Sequence, residues 1–363
     1  MIKGRIVLLA AVLLLCGCSN NADNKTINIA VTGSPSVYSE YYEKGIKKAY
    51  ADVCEEYKDS GFEINMDLYD DNDDYETADK ITARLVNNNK ITAIIASSSE
   101  EICENQVYQT DKAGKILICP HWMYDSTLED KNYSKAFSLN YSNADIGTVI
   151  KIIAKDVPAK KWAVCYSDDK ISREEIKGFN NIDDDNIKTV DFVKMSTFKA
   201  NFNQTVDRWK LLGVEGIIFI PYEEEGFDLL YKLKSEMPEL YIISDSSLDD
   251  DNELQTNRKY FDKVFIVDSF FVEPEESEIF GDEEYLDTWE IHGYNTFRII
   301  VDTAIKNNTN NCDEIAEILH KDGYFGELEG YKFDEKGTLV PEKFSYIEIR
   351  EDNVTEHTIS APN

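Results

Sequence analysis

The chain has few basic residues and few histidines, and each shortage excludes a class of function. Its 38 lysines and arginines stand against 70 aspartates and glutamates, for a formal net charge of −32. A surface this acidic repels phosphate groups, which excludes nucleic acid and anionic lipid faces as partners. The 4 histidines, at positions 121, 292, 320 and 357, form no HExxH or other ligand-spaced pair, so we expect no metal site and no cofactor.

The sequence also lacks the motifs of the common enzyme classes. It has no GxSxG nucleophile elbow, no GxxxxGK[ST] phosphate loop and no GxGxxG after a strand. The acidic segment 70–76 is not a calcium loop, because Tyr75 stands where the sixth-position glycine belongs and Ile81 where the twelfth-position glutamate belongs. We therefore expect a protein that binds its ligand without transforming it.

Long hydrophobic runs are scarce, and the one at the start of the chain has a special character. Lys3 and Arg5 precede an apolar run over 6–15, which is too short to span a bilayer and is typical of a signal peptide. The following Leu15-Cys16-Gly17-Cys18 resembles a bacterial lipobox, which predicts removal of residues 1–17 and an anchoring lipid such as palmitate on Cys18. An ordinary signal peptide or a short anchor, with Cys18 incidental, is the alternative.

The cysteines do not form a recognisable framework. Without Cys16 and Cys18 an odd number remains, and their spacings match neither a zinc site nor a disulfide pattern; they are Cys54, Cys103, Cys119, Cys165 and Cys312. Cys119 and Cys165 each end an apolar run, which predicts small core residues. A single disulfide stays open.

Strand and helix patterns alternate in two series along the chain. Strands are predicted over 27–31, 62–69, 92–96, 116–119, 162–166, 189–193, 216–220, 240–243 and 264–267. Helices are predicted over 38–57, 78–86, 172–179, 198–212, 223–236, 283–306 and 313–320, and strand-like segments lie around Tyr331 and Tyr346. This alternation indicates βαβ units with parallel sheets covered on both faces. Two such α/β series favour two lobes with a ligand cleft between them.

Six segments, taken in their order along the chain, are similar to those of a known family: INIAVTGSPS at 27–36, LYDDNDDYETADKI at 68–81, IIASSS at 94–99, KILICPHW at 115–122, AFSLNYSNADI at 136–146 and YKFDEKGTL at 331–339. The series resembles the type I periplasmic binding proteins, specifically the Leu/Ile/Val-binding-protein-like substrate-binding lipoproteins of ABC transporters. The likeness extends over nearly all of residues 26–350. It rests on the order of the segments, since none is specific alone.

The resemblance implies two Rossmann-like lobes joined by three hinge crossings, which fall by position near 138–141, 267–269 and 326–327. Lobe 1 would comprise 26–139 and 269–325, and lobe 2 would comprise 140–268 and 326–350. Residues 18–25 would be a tether behind the lipid, and 351–363 a C-terminal tail.

Candidate ligand residues follow the predicted strands, where free backbone donors and helix dipoles favour polar groups. A hydroxyl of Ser98 or Ser99 can bind a ligand carboxylate at a helix start, or it can serve only as a cap completed by the glutamates that follow. By the resemblance, four more residues line the cleft, namely Tyr38, His121, Trp122 and Tyr222, with Tyr141 at the first crossing. The alternative for these side chains is ordinary packing or exposure.

In amino-acid-binding members of the family, an acidic residue after the strand equivalent to 240–243 pairs with the ligand ammonium. Here that position falls on Ser246, with Asp245 beside it. The bulky sequence His121-Trp122-Met123 also departs from the small residues usual in the family. We therefore expect a small polar ligand, with amino acids as the default class.

The function implied is that of a solute-binding lipoprotein outside the cytoplasm, which delivers its ligand to an ABC permease. We expect a monomer that meets the membrane only through its lipid. A lipoprotein that senses the ligand and signals to a membrane receptor is the alternative, and a kinase or chemoreceptor gene beside this one would favour it.

Overall fold

The described residues form two large sheets, and the first consists of five parallel strands in the order second, first, third, fourth and fifth along the chain. The computed structural model describes residues 25–34, 40–97, 99–121, 123–129, 133–181, 187–221, 226–270, 288–326 and 330–361. Its first strands and helices are β1 (Lys25–Thr32), α1 (Glu40–Glu56), β2 (Phe62–Tyr69), α2 (Tyr75–Val86), β3 (Ala93–Ile95), α3 (Glu100–Ala113), β4 (Ile116–Cys119), α4 (Asp125–Glu129) and β5 (Ala136–Ser138). The residues of β3, β4 and β5 are all buried, as strands covered on both faces must be.

The second sheet has seven strands in the order β14-β13-β10-β9-β8-β6-β7. The elements from residue 143 to residue 267 are α5 (Asn143–Asp156), β6 (Lys161–Tyr166), α6 (Lys170–Asn180), β7 (Lys188–Lys194), α7 (Met195–Ala200), α8 (Phe202–Leu212), β8 (Gly216–Ile220), α9 (Gly226–Glu236), β9 (Tyr241–Ser244), α10 (Asp251–Thr256) and β10 (Val264–Val267). The chain then forms α11 (Thr288–Lys306), α12 (Cys312–Asp322), β11 (Tyr324–Phe325), β12 (Gly330–Tyr331), β13 (Lys343–Arg350) and β14 (Asn353–Ser360). We call the first sheet with its helices lobe 1 and the second lobe 2. The predicted architecture of two parallel-sheet α/β lobes is confirmed.

The expected C-terminal tail instead forms the edge of lobe 2. β14 pairs antiparallel with β13 from Lys343 opposite Ser360 to Arg350 opposite Asn353. Its residues alternate between exposed and partly exposed positions, so one face of β14 meets solvent throughout. An edge strand of this kind carries no apolar run, and the hydrophobic pattern therefore did not reveal it.

The last passage between the lobes lies later in the chain than residues 326–327. The amide of Ser138 in β5 donates to the carbonyl of Gly337 at 2.9 Å, and the ring of Phe333 packs edge-on against Phe137 at 5.0 Å. Residues 330–339 thus still contact lobe 1, and the chain joins lobe 2 only with β13. The other two crossings lie side by side, since the amide of Tyr141 donates to the carbonyl of Ser269 at 2.9 Å.

Each lobe contains a helix pair held close by reciprocal glycines. In lobe 1, a Cβ at Gly45 of α1 or at Gly293 of α11 would collide with the backbone of the other helix. In lobe 2, a Cβ at Gly147 of α5 or at Gly178 of α6 would collide in the same way. The absence of a side chain therefore sets the spacing of both pairs.

The five cysteines at positions 54, 103, 119, 165 and 312 are all free thiols. Cys119 and Cys165 are fully buried, which confirms the prediction that they are core residues. Among the described residues, no helix is both long enough and apolar enough to cross a membrane.

Candidate functional site

The loops after the parallel strands carry polar side chains at one edge of each sheet. These loops follow β1 to β4 in lobe 1, and β6, β8, β9 and β10 in lobe 2. Ligands of open parallel sheets bind beyond this edge, where strand ends and helix N-termini present free donors. Beside these edges a carboxylate of each lobe accepts a hydrogen bond from a backbone amide of the other lobe, so the edges face one cleft.

Asp125 and Glu174 join the lobes, because each of them caps a helix of the other lobe. The carboxylate of Asp125, at the start of α4, accepts from the amides of Asn143 at 2.7 Å and Ala144 at 2.9 Å, at the start of α5. Glu174 of α6 accepts in turn from the amides of Asp125 at 2.9 Å and Ser126 at 3.3 Å. The pKa of Asp125 is raised to about 7, mainly by burial and in smaller part by the neighbouring Glu174, whereas the amides of Ala144 and Asn143 lower it. Charge-assisted bonds of this kind fix one helix start against the other.

Lobe 1 contributes an aromatic cluster next to the cleft. The His121 ring, directly after β4, stacks on Trp289 at 5.6 Å and lies 4.8 Å from the Tyr42 ring. His292 of α11 stacks on Phe270 at 4.1 Å. His121 is only 9% exposed and His292 is fully buried, so neither is the exposed histidine that the packing alternative allowed.

Both histidines of this cluster are uncharged. Burial lowers the pKa of His121 to about 3, helped by its neighbour His292, and burial lowers the pKa of His292 to about 4. The Nε2 of His292 lies 2.7 Å from the carbonyl oxygen of Pro120, which can only accept, so Nε2 carries the proton. Lobe 1 therefore presents a neutral aromatic surface.

Lobe 2 presents an acid. Asp245 follows β9, is fully buried and caps the short turn Ser246–Leu248. Its Oδ1 accepts from the amide of Ser247 at 3.2 Å and from the hydroxyl of Ser244 at 3.3 Å, whereas Oδ2 receives no N–H or hydroxyl of the described residues. Burial raises the pKa of Asp245 to about 6, so this side chain is an anion at neutral pH.

Glu175 of α6 brings a second carboxyl against Asp245. Its side chain is fully buried, and neither of its carboxyl oxygens accepts a bond from an N–H or hydroxyl of the described residues. Burial raises the pKa of Glu175 well above its usual value, and the neighbouring acids Asp245, Asp169 and Asp125 raise it further. Burial therefore favours the protonated, uncharged form of Glu175.

Two hydroxyls connect the turn after β9 to the second crossing. The Oγ atoms of Ser246 and Ser269 lie 2.7 Å apart. Beside them, burial raises the pKa of Asp268 to about 7, although the hydroxyl of Ser345 bonds to its carboxylate and lowers it. The turn, the crossing and β13 are thus linked through polar side chains.

Two of the other predicted site residues have defined positions. Ser99 stands at the N-cap of α3 with an extended backbone, but its hydroxyl makes no capping bond. Tyr141 donates its hydroxyl to the carbonyl of Lys343 at 3.0 Å and packs against the Phe344 ring, so it belongs to the hinge. The remaining predictions lie outside the described residues: Cys18, Tyr38, Ser98, Trp122 and Tyr222.

Sequence reasoning missed Glu175, although a signal was present. Ile171, Glu175 and Phe179 recur every four residues and all three are buried, so Glu175 occupies the apolar stripe of an amphipathic helix. An acid in such a stripe marks a buried charge or a buried proton. Asp125 and Glu174 gave no comparable signal, because their partners are backbone amides far along the chain.

The described residues include no group of three or more histidine, cysteine or acidic side chains arranged to hold a metal ion. The cleft between the lobes has one neutral edge, in lobe 1, and one acidic edge, in lobe 2.

Residues 26–306 match a family model described as "Periplasmic binding protein". No curated protein matches the chain significantly. Among solved structures, an ABC transporter substrate-binding protein from Desulfitobacterium hafniense in complex with Leu is 18% identical, with a TM-score of 0.79 over 92% of this chain and 100% of that one. LivJ from Streptococcus pneumoniae, a branched-chain amino acid transporter substrate-binding protein in complex with isoleucine, is 17% identical, with a TM-score of 0.75 over 93% and 100%. A solute-binding protein of an ABC transporter from R. palustris in complex with benzoate is 13% identical, with a TM-score of 0.71 over 93% and 97%. At these identities the likeness shows the fold.

Proposed function

The chain belongs to the periplasmic binding protein family, and on that premise we propose that it captures a small ligand with a cationic nitrogen, such as an amino acid, between its lobes. Membership of this family implies that the protein acts outside the cytoplasm and binds a ligand without catalysing a reaction. In the proposed role the ligand passes to an ABC permease, and a lipid on Cys18 keeps the protein at the membrane.

The observation that carries this proposal is the buried carboxylate of Asp245. It lies at the strand-end edge of lobe 2, and Oδ2 receives no donor from an N–H or hydroxyl of the described residues. A buried carboxylate with an unused oxygen is costly unless a cation or donor reaches it. The ammonium group of a ligand supplies both.

The opposite edge suits the rest of such a ligand. The 14-residue helix α3 begins after Ser99, whose hydroxyl is not used for capping, and its free amides can receive a carboxylate. The cluster around His121 and Trp289 adds a neutral surface for an apolar group. Structural relatives hold Leu, isoleucine or benzoate, and the acid in lobe 2 favours the first two kinds of ligand here.

Capture follows from the hinge. A ligand that contacts both lobes binds the closed arrangement more tightly than an open one, so it shifts the population towards closure. Bonds such as those of Asp125 to the start of α5 add to closure without contacting ligand. We propose that the permease recognises this closed form.

Thermal unfolding of the lipid-free protein against amino acids, amides, short peptides, polyamines and sugars tests the proposal. A specific ligand at 100 times its Kd should stabilise the wild type by about 2.7 kcal/mol. Asp245→Asn should abolish this gain and Ser99→Ala should reduce it, whereas the control Lys155→Ala on the exposed end of α5 should leave it unchanged. A ligand that stabilises Asp245→Asn as strongly as the wild type would contradict the assignment.

A further inference from the structure

Lobe 2 buries two carboxyl groups, those of Glu175 and Asp245, whose side chains lie within hydrogen-bonding reach of each other. Glu175 and Asp245 are both fully excluded from solvent, and they come from different elements, α6 and the turn after β9. Both oxygens of Glu175 and Oδ2 of Asp245 lack an N–H or hydroxyl donor among the described residues. Ionised carboxylates only accept hydrogen bonds, so the contact is stable only if one of the two carries a proton.

We propose that Glu175 is a positioning residue of the ligand site, which shares one proton with Asp245 and thereby holds that carboxylate ionised and oriented for a cationic nitrogen of the ligand. The ligand role rests on the function proposed above, whereas the shared proton does not. In this arrangement the Glu175 hydroxyl donates to Oδ1 of Asp245 and leaves Oδ2 for the ligand, and the pair carries a single negative charge that suits a single ammonium group.

Every charged group facing the pair from neighbouring elements is acidic. Asp169, at the start of α6, and Asp125, from lobe 1, both act on Glu175. On α5, the side chain of Lys151 is directed elsewhere, with its Nζ 4.3 Å from the Phe179 ring. Lys170 at the start of α6 lies 3.7 Å from Glu104 of lobe 1. No described residue donates an N–H to either carboxyl oxygen of Glu175 or to Oδ2 of Asp245, so a proton is left to reduce the charge of the pair.

The shared proton predicts a stability difference that needs no ligand. The pKa of Glu175 is higher in the folded than in the unfolded protein, so stability is lost as pH rises from about 4.5 towards the folded value. Glu175→Gln keeps the shape and a donor but has no titrating proton. Above pH 5, the unfolding constant of the wild type relative to Glu175→Gln should rise by up to about tenfold per pH unit, for as long as folded Glu175 keeps its proton.

Glu174→Gln is the matched control for this measurement. Glu174 is the adjacent acid on α6, but its carboxylate accepts amide bonds from Asp125, Ser126 and Asn143. Relative to the wild type, the unfolding constant of Glu174→Gln should change less with pH than that of Glu175→Gln. A ratio for Glu175→Gln that stays constant within twofold would overturn the shared proton, whatever the ligand.

The ligand arm uses L-leucine, L-lysine and benzylamine as probes in isothermal calorimetry. A probe that binds at pH 7.5 should bind about tenfold more weakly at pH 5, because Asp245 titrates near pH 6. Glu175→Gln should retain the affinity at pH 7.5, and Glu175→Met, which has no donor, should lose at least tenfold. Binding with no stability slope overturns the proposal for Glu175 but leaves the proposed function intact. If stability shows the expected dependence on pH but no probe binds, the ligand role of Glu175 is rejected together with that function. Equal affinity of the Glu175→Met and Glu175→Gln variants for a probe would also overturn the ligand role.

Discussion

The two lobes share one skeleton and differ in what they bury at the cleft. Each has a parallel sheet and a helix pair fitted through reciprocal glycines. Lobe 1 buries the histidines His121 and His292, and lobe 2 buries the carboxyls of Glu175 and Asp245. Burial disfavours the charged form of either kind of group, so the histidines lose their protons and Glu175 keeps one. Of these four groups, Asp245 is the one that carries a charge at neutral pH.

The shared skeleton predicts the largest effect. Gly147→Ala should destabilise the protein by about 3 kcal/mol, because the new methyl group collides with the backbone of α6. Gly45→Ala should cost a similar amount, since the same contact recurs between α1 and α11. Guanidinium unfolding measures both losses. Unequal costs, with one variant near wild type, would show that the lobes are not built alike.

The histidines of lobe 1 predict a loss of stability in acid. The pKa of His121 is about 3 when folded, so the unfolded chain takes up its proton first and stability is lost as pH falls below about 6.5. Between pH 7.5 and pH 5 this loss should be about 2 kcal/mol. His121→Phe should remove this part of the loss and leave the part due to the buried His292, whereas His357→Phe, on the partly exposed β14, should retain both parts. The midpoints of denaturant unfolding at pH 7.5 and pH 5 measure these losses of stability.

The acids of lobe 2 predict the opposite slope. Burial raises the pKa of Asp245 to about 6, so its contribution to stability is present in acid and lost as pH rises from about 4 through 6. Asp245→Asn should therefore gain about 1 kcal/mol relative to the wild type between pH 5 and pH 7. If the stability of the two proteins changed equally with pH, Asp245 would not be a buried anion.

The smallest predicted effect concerns the bonds between the lobes. Glu174→Ala removes a partly exposed carboxylate that accepts three hydrogen bonds, from the backbone amides of Asp125 and Ser126 and from the side-chain amide of Asn143. We expect a cost of about 1 kcal/mol, and faster hydrogen exchange at the amides of Asp125 and Ser126. Unchanged exchange at these amides would mean that the bonds are not formed in solution.

Buried strands were easy to predict from the sequence, and half-exposed elements were not. The apolar runs at 116–119, 216–220 and 264–267 match β4, β8 and β10 residue for residue, because both faces of these strands are covered. α5 was not among the predicted helices, although most of its residues are buried. β14 was missed because its hydrogen bonds, and not its side chains, hold it in place.

The site divides in the same way. The position of Asp245 after β9 followed from the order of segments, since strand ends in this fold lie at the cleft. The contact of Glu175 with it depends on the packing of α6 over the sheet, a relation between residues 70 positions apart that no local pattern encodes. The neutral state of His121 likewise depends on Trp289 and Tyr42, which arrive from distant helices.

The most direct test of the account compares ligands that differ only in a cationic nitrogen. Thermal unfolding at pH 7.5 would be followed with L-leucine against 4-methylpentanoate, and with benzylamine against benzoate, in the wild type and in Asp245→Asn. The account predicts stabilisation by a nitrogen-bearing member in the wild type alone, and none by its partner. Equal or greater stabilisation by 4-methylpentanoate or benzoate would contradict the claim that this cleft recognises a cation.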